Sequence, residues 1–209
     1  MRSNIYNILK TRIIQGHYNP GEIIREMDIA QEFQVSRTPV REVFQSLQGD
    51  SLITLLPYRG AQVTFIELEF FFQTAMVKMV LEEMAARLAA RYAAEKDIEY
   101  LREILGKLEV CDPERNFEEY LELDTQFHRG VRQAGRNGVL SDTIERMQVH
   151  IDRFYYYARH VSVTTMGNFV QDFTTTIRAL EDRDEEAAVL ATRTHMSGFY
   201  EIVNRSLMG

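Results

Sequence analysis

Two groups of residues have the types and spacing for chemistry. The first is a polar and basic stripe: Arg37, Thr38, Arg41, Gln45 and Gln48 recur at helical spacing, and no acid lies among them. Guanidinium, hydroxyl and amide groups on one helix face are the donors and acceptors that match base edges and phosphates. The second group is Asp124 and His128, four residues apart and so on one face of a helix. His195 stands among apolar positions of the last helical segment and could converge on them. A carboxylate with imidazoles can ligate zinc, nickel or manganese. The same residues also have plainer readings: a solvated Asp–His pair, and a hydrogen-bonded core histidine.

The stripe at 37–48 needs a helix presented at its N-terminal end. Val40, Val43, Phe44 and Leu47 supply the opposite, apolar stripe. Ser36 is a suitable N-cap whose hydroxyl can accept from a free backbone N–H, and Pro39 falls in the first turn, where its missing N–H costs nothing. Before it, Ile29, Ala30 and Phe33 mark a short helix at 28–33, joined by the connector Gln34-Val35-Ser36. An earlier helix carries Ile5, Ile8, Leu9 and Ile13 and is stopped by Gly16. Helix, tight connector and basic-faced helix make a helix-turn-helix. Two β-prone runs at 52–56 and 61–65, joined by Pro57-Tyr58-Arg59-Gly60, form a hairpin with a cation at its tip. Beside a recognition helix such a hairpin is a wing, and Arg59 could reach phosphate or the minor groove. The expected fold is therefore mainly α, with a winged helix-turn-helix over 1–66.

Residues 67–209 show no strand-like alternation. Helices are expected at 67–94, 97–109, 116–134, 138–160, 165–181 and 184–207, an antiparallel all-α bundle. Asn116 with Glu119 has the form of a capping box, and Asp184 opens the last helix. The net charge of −7 is unevenly spread: residues 1–66 carry +1 and the rest −8. A near-neutral head on an acidic body suits DNA binding when the head's cations share a face. The single cysteine, Cys111, excludes an internal disulfide and a cysteine zinc site. With no membrane-length apolar run and no signal-peptide core, a cytoplasmic protein is expected, away from membranes.

The segments Pro20-Gly21-Glu22, Val35-Ser36-Arg37-Thr38-Pro39-Val40-Arg41-Glu42 and Tyr58-Arg59-Gly60 resemble the DNA-binding domain of the GntR family. The resemblance implies DNA contacts by Arg37, Thr38 and Arg41, with Ser36 and Gln45 on the same helix and with Arg59 and Gly60 at the wing tip. One departure is visible: Asp50-Ser51-Leu52 stands where the family has Glu-Gly-Leu, so the end of the recognition helix is expected to shift. Val80-Leu81-Glu82, Asp124-x-x-Phe127-His128, Arg153 and Asp184-x-x-Ala187-Ala188…His195 resemble the FCD type of ligand-binding domain. That likeness implies a divalent metal (zinc, nickel or manganese) held by Asp124, His128, His195 and one further histidine, with a carboxylate effector beside it. Asp172-Phe173 occupies the place of the family's Glu-His. Phe173 cannot ligate, and Asp172 is turned about 100° away from it along the helix, so metal binding is expected to be weak or lost. Lys78 stands where the family has arginine, keeping the charge without the bidentate fork. His150, Arg153, Phe154 and Tyr157 have the spacing of an inward face. With Phe173 they make the expected effector pocket an aromatic one.

Partners expected on this reading are an operator DNA duplex, a small-molecule effector and a second copy of the chain, because one recognition helix reads only a few base pairs. Two other classes stand beside it. A di-metal bundle enzyme needs paired Glu-x-x-His motifs, but His128, His150, His160 and His195 are preceded three positions earlier by Thr125, Met147, Tyr157 and Thr192; no enzymatic activity is expected. The other is a DNA-binding regulator whose helical body serves only to dimerise.

Overall fold

The computed structural model describes residues 2–159 and 170–208. His160 and the first part of the helix expected at 165–181 lie outside the described residues. The chain forms two compact units, Met1–Phe71 with Val149–Tyr157, and Phe72–Gln148 with Ala158–Gly209.

The first unit begins with α1 (Arg2–Ile14), β1 (Ile23–Ile24), α2 (Glu26–Glu32), α3 (Arg37–Gly49), β2 (Ile53–Leu56) and β3 (Gly60–Val63). Its core is the union of the apolar stripes: Ile5, Leu9 and Ile13 of α1 meet Val40, Val43, Phe44 and Leu47 of α3, all at most 1% exposed. Ser36 takes the extended N-cap conformation, but its hydroxyl makes no cap hydrogen bond, so the capping expected there is positional only. The two expected hairpin strands form, shortened, and join a third that the sequence reading missed. The sheet order is β1-β3-β2, all antiparallel, with Ile24 opposite Ala61 and Leu56 opposite Gly60. A two-residue strand such as β1 is too short to show any alternation.

The departure at Ser51 does not move the end of α3. Ser51 takes φ +58°, its N–H bonds the Gln48 carbonyl at 2.9 Å, and the Leu52 N–H bonds the Leu47 carbonyl at 3.0 Å. That is a Schellman closure with serine in the left-handed position usually given to glycine. Gln34 and Arg183 close their helices with the same pair of bonds, at φ +52° and +58°. At the wing, Pro57 and Tyr58 form a turn closed by the Arg59 N–H on the Leu56 carbonyl, and Tyr58 sits at φ +62°. Gly60 follows at φ +102°, where a Cβ would stand 2.3 Å from the Ile24 carbonyl oxygen. The close approach of β1 to β3 therefore requires glycine.

The second unit is helical: α4 (Leu68–Tyr92), α5 (Glu95–Val110), α6 (Phe117–Ala134), α7 (Gly138–Tyr157), α8 (Val170–Glu181) and α9 (Glu185–Met208), with the start of α4 and the end of α7 belonging to the first unit. α5 lies against α6 and α8, and α8 against α9. Ile98, Leu101, Ile104 and Leu108 of α5 meet a buried α6 face that runs from Phe117 through Tyr120, Asp124 and Phe127 to Val131. Asp184 caps α9 by accepting the Ala187 N–H at 2.9 Å. Asn116 makes no side-chain cap. The reciprocal bond expected of a capping box is found instead at α5, where Asp97 accepts the Ala94 N–H at 2.7 Å. Among the described residues no helix is long and apolar enough to cross a membrane.

Two substitutions test this backbone account. Ser51→Gly is expected to stabilise by about 0.5–1 kcal/mol, because glycine enters the left-handed region without a Cβ clash. Gly60→Ala is expected to destabilise by at least ~1–3 kcal/mol through forced strain. Urea unfolding followed by circular dichroism reads both, and equal stability of the three proteins would contradict the account.

Candidate functional site

One open groove lies between α3 and the wing. Arg25, Glu26, Asp28, Arg37, Arg41 and Gln45 line it together with Pro57, Tyr58, Arg59 and Gly60. The structure thus brings together Arg37, Arg41, Gln45, Arg59 and Gly60. Ser36 and Thr38 are exposed at the start of α3 but do not line the groove. The guanidinium side chains of Arg37 and Arg41 are about 60% exposed, and both donate to Glu26 at the start of α2. Burial alone would push the Glu26 carboxyl up, but the hydrogen bonds from Arg41 and Arg37 outweigh it and hold the group below the usual carboxylate range. Sequence reasoning missed Glu26 and the fully exposed Tyr58. Glu26 lies eleven residues before Arg37, so no local spacing pairs them. Tyr58 is a bulky residue in a turn position that ordinarily selects glycine.

In the second unit, Asp124 and His128 on α6 and His195 on α9 present ligand atoms within 4.8 Å of one another. The two imidazoles face each other through Nε2 at 3.2 Å. Two nitrogens bound tetrahedrally to one ion at about 2.0–2.1 Å would stand ~3.3 Å apart. On the far side of the His195 ring, Nδ1 lies 3.6 Å from Asp172 Oδ2. Asp172, turned away from the imidazole pair, thus lies on the side of the His195 ring opposite Nε2, at ion-pair distance but beyond hydrogen-bond reach of Nδ1. Phe173 is buried, with its ring centroid 4.7 Å from that of His195, 5.6 Å from His128 and 4.3 Å from Phe127. These residues, with Glu82, Val131, Thr176 and Thr192, line a cavity of about 10 Å³, room for a single water.

Charge is buried beside this cavity. Glu82 accepts from Lys78 Nζ at 2.9 Å and from Arg132 Nη1 at 2.9 Å, and all three are at most 2% exposed. Arg132 Nη2 also reaches Glu145 at 3.0 Å. Burial pushes the Asp124 carboxyl up, partly opposed by His195 and Lys78. Burial, reinforced by Lys78, pushes the His128 imidazole well down, so it is neutral near pH 7 and its lone pair is available. Arg132 was missed, although Asp124, His128 and Arg132 form an i, i+4, i+8 series on α6 that periodicity could have shown.

His150, Arg153 and Tyr157 do not line this cavity. All three belong to the first unit. Arg153 donates to the Thr64 hydroxyl at 2.7 Å and to the Thr64 carbonyl, and burial pulls its guanidinium down to about 10. His150 packs edge-on against Phe70, and Phe154 stacks on Phe71 at 3.8 Å. Tyr157 is 64% exposed. The inward spacing on α7 holds for His150, Arg153 and Phe154 and fails for Tyr157, and what that face turns toward is the start of α4 and the strand end, which helical periodicity cannot show. Lys78 meets the cavity only through Glu82.

Family models match both parts of the chain: "Bacterial regulatory proteins, gntR family" over residues 1–63 and "FCD domain" over residues 73–198. The chain belongs to the GntR family, in its FCD-bearing form. Similar regulators include the HTH-type transcriptional repressor RspR of Escherichia coli, 29% identical over 98% of this chain and 90% of that protein. The Nta operon transcriptional regulator of Aminobacter aminovorans is 25% identical over 92% and 90% of the two chains. The solved structure of E. coli McbR/YncC superposes with a TM-score of 0.84 at 20% identity, covering 98% of this chain and 97% of that one, and so shares the fold. These families and relatives are regulators of transcription, not enzymes.

The donor set of this FCD domain fits a divalent ion in part. Asp124, His128 and His195 converge, and the cavity admits one water as a further ligand, but Phe173 gives that opening an apolar wall. Three protein ligands and a water make a complete zinc shell only when the water finds polar company. Phe173→His is therefore expected to tighten zinc or nickel binding by at least tenfold, and His128→Ala in that background to abolish the gain. Isothermal titration after chelator treatment measures both. Tight stoichiometric binding by the wild type would show that the three residues suffice.

Proposed function

We propose that this GntR–FCD regulator binds a short imperfect palindrome as a homodimer, using residues 1–66 to bind DNA and residues 67–209 to sense an effector and dimerise. The observation that carries the reading is the groove that sets Arg37, Arg41 and Gln45 of α3 opposite Arg59 of the wing. Arginine and glutamine on one wall suit guanine and adenine edges in the major groove. A cation on a hairpin tip suits phosphate or the adjoining minor groove. Such binding takes place in the cytoplasm, where bacterial operators are.

The effector arm is supported by the buried Lys78, Glu82 and Arg132 beside the His128–His195 pair. Lys78 and Arg132, which share the Glu82 carboxylate there, both act on the His128 imidazole as positive charge, so a small carboxylate-bearing molecule beside His128 finds cations in a dry site. A divalent metal, when bound by Asp124, His128 and His195, adds positive charge for the same ligand. The one-water cavity favours a second reading, a body that only dimerises. Thermal-shift screening against divalent metals and small carboxylic acids separates the two: a reproducible stabilisation that Lys78→Ala removes supports the sensor, and no stabilisation supports the dimerising body.

A dimer surface is available on α4. Met76, Val77, Val80 and Met84 follow one helical face and are each 48–65% exposed. An apolar stripe of this kind marks an association surface, and an operator with two half-sites calls for a second copy. Val80→Glu is expected to shift the protein from dimer to monomer in light scattering at micromolar concentration. A wild type that is monomeric and binds one half-site tightly would remove the proposal.

On DNA, Arg37→Ala or Arg41→Ala is expected to lower operator affinity by roughly 1–3 kcal/mol, as for a lost base-edge contact. Arg59→Ala should weaken specific and scrambled DNA alike and reduce the salt dependence of binding. Normal operator binding by the Arg37/Arg41 double variant would overturn the assignment of α3.

A further inference from the structure

Glu26 is one of two acids, with Asp28, on the wall of a groove that also carries four arginines and is proposed to receive a polyanion. By charge alone it should oppose DNA binding. Its bonding shows a different arrangement. Oε2 accepts from Arg37 Nε at 3.1 Å and Nη2 at 2.7 Å, while the same carboxylate accepts Arg41 Nε at 2.9 and 3.0 Å. One carboxylate thus grips the two cations that share the outer face of α3, one turn apart. Its own side chain is 17% exposed, whereas theirs are 61% and 59% exposed. The anion sits at the base and the guanidinium groups stand outward above it.

The donors left over matter most. A guanidinium carries five N–H groups in a fixed plane. Arg41 commits only Nε to Glu26, so both of its terminal nitrogens, the end-on fork that pairs with guanine O6 and N7, lack a protein acceptor among the described residues. Arg37 is held along its Nε–Nη2 edge and keeps Nη1. A long, exposed arginine loses much rotamer freedom when it docks on a base. A side chain already fixed at Nε loses less of it.

We propose that Glu26 is a positioning residue for operator recognition: it orients Arg37 and Arg41 with their reading edges toward the groove, and it sets the ratio of specific to non-specific DNA binding. This rests on the reading that α3 contacts the operator. A carboxylate at this place favours DNA that supplies base acceptors to the aligned forks. It disfavours DNA that offers only phosphate, because there the anion repels and the forks gain nothing. Glu26 also stands in the first turn of α2, where an acid complements the helix dipole. A role limited to that would show itself in stability, with both kinds of DNA affected together.

The test uses the full chain with a duplex selected by the wild type from a random pool, and a scrambled duplex of equal length. Affinities are measured by fluorescence anisotropy over a range of salt. Glu26→Gln is expected to weaken operator binding about tenfold or more while scrambled DNA binds as tightly as before or tighter, so the specificity ratio falls by at least an order of magnitude. Glu26→Asp, which keeps the carboxylate, should recover part of that ratio. In an Arg37→Ala/Arg41→Ala background, Glu26→Gln should change the ratio less than twofold. If Glu26→Gln tightens or weakens both duplexes equally, or if Glu26→Asp is as unspecific as Glu26→Gln while melting like the wild type, the proposal is overturned. Failure of the underlying reading looks different: the double arginine variant would then bind the operator normally.

Discussion

The DNA-facing half of the molecule depends on one face of α3 being completely dry. Val40, Val43, Phe44 and Leu47 are each at most 1% exposed against α1, and burying each such side chain stabilises by about 1.5–3 kcal/mol. That packing fixes the rotation of α3 about its axis. A turn of one residue, about 100°, would bring Arg37 and Arg41 against Ile5 and Leu9 and lift Val43 and Leu47 toward water. The outward direction of Arg37 and Arg41 therefore follows from the apolar residues between them. The short connector before α3 and the glycine-dependent approach of β1 to β3 then place the wing across the groove.

In the helical unit the corresponding constraint is electrostatic. A side chain as buried as Glu82 depends on its ion pairs with Lys78 and Arg132, and removal of one partner from such a buried pair typically costs ~3–5 kcal/mol. The three charges tie α4 to α6, and Arg132 extends the tie to Glu145 on α7. The same cations help keep His128 neutral and partly oppose the rise of Asp124. Structure and site chemistry in this unit thus rest on the same side chains.

Much of this was legible in the sequence because periodicity and motif spacing are local. The apolar faces of α1 and α3, the hairpin and the convergence-ready Asp124–His128 pair all lie within a few residues. What escaped has identifiable causes. Three helices close on Gln34, Ser51 and Arg183, where no glycine announces the end. Two expected caps, at Ser36 and Asn116, are residues of the right type whose side chains make no cap bond. Arg153 had the right face and the right charge for a pocket, but its donors go to Thr64. Glu26 and Asp172 act on partners distant in the sequence, and only the fold reveals that.

Phe173 has a consequence for sensitivity. A ring that fills the space beside His128 and His195 leaves room for one water, so any larger occupant binds only the fraction of molecules in which the ring has turned aside. Apparent affinity falls by that fraction: an open population of about one in a hundred weakens binding roughly a hundredfold. On the proposed sensor reading, the aromatic side chain would therefore set a threshold. It would keep the domain silent toward a scarce effector and let it respond only at high concentration.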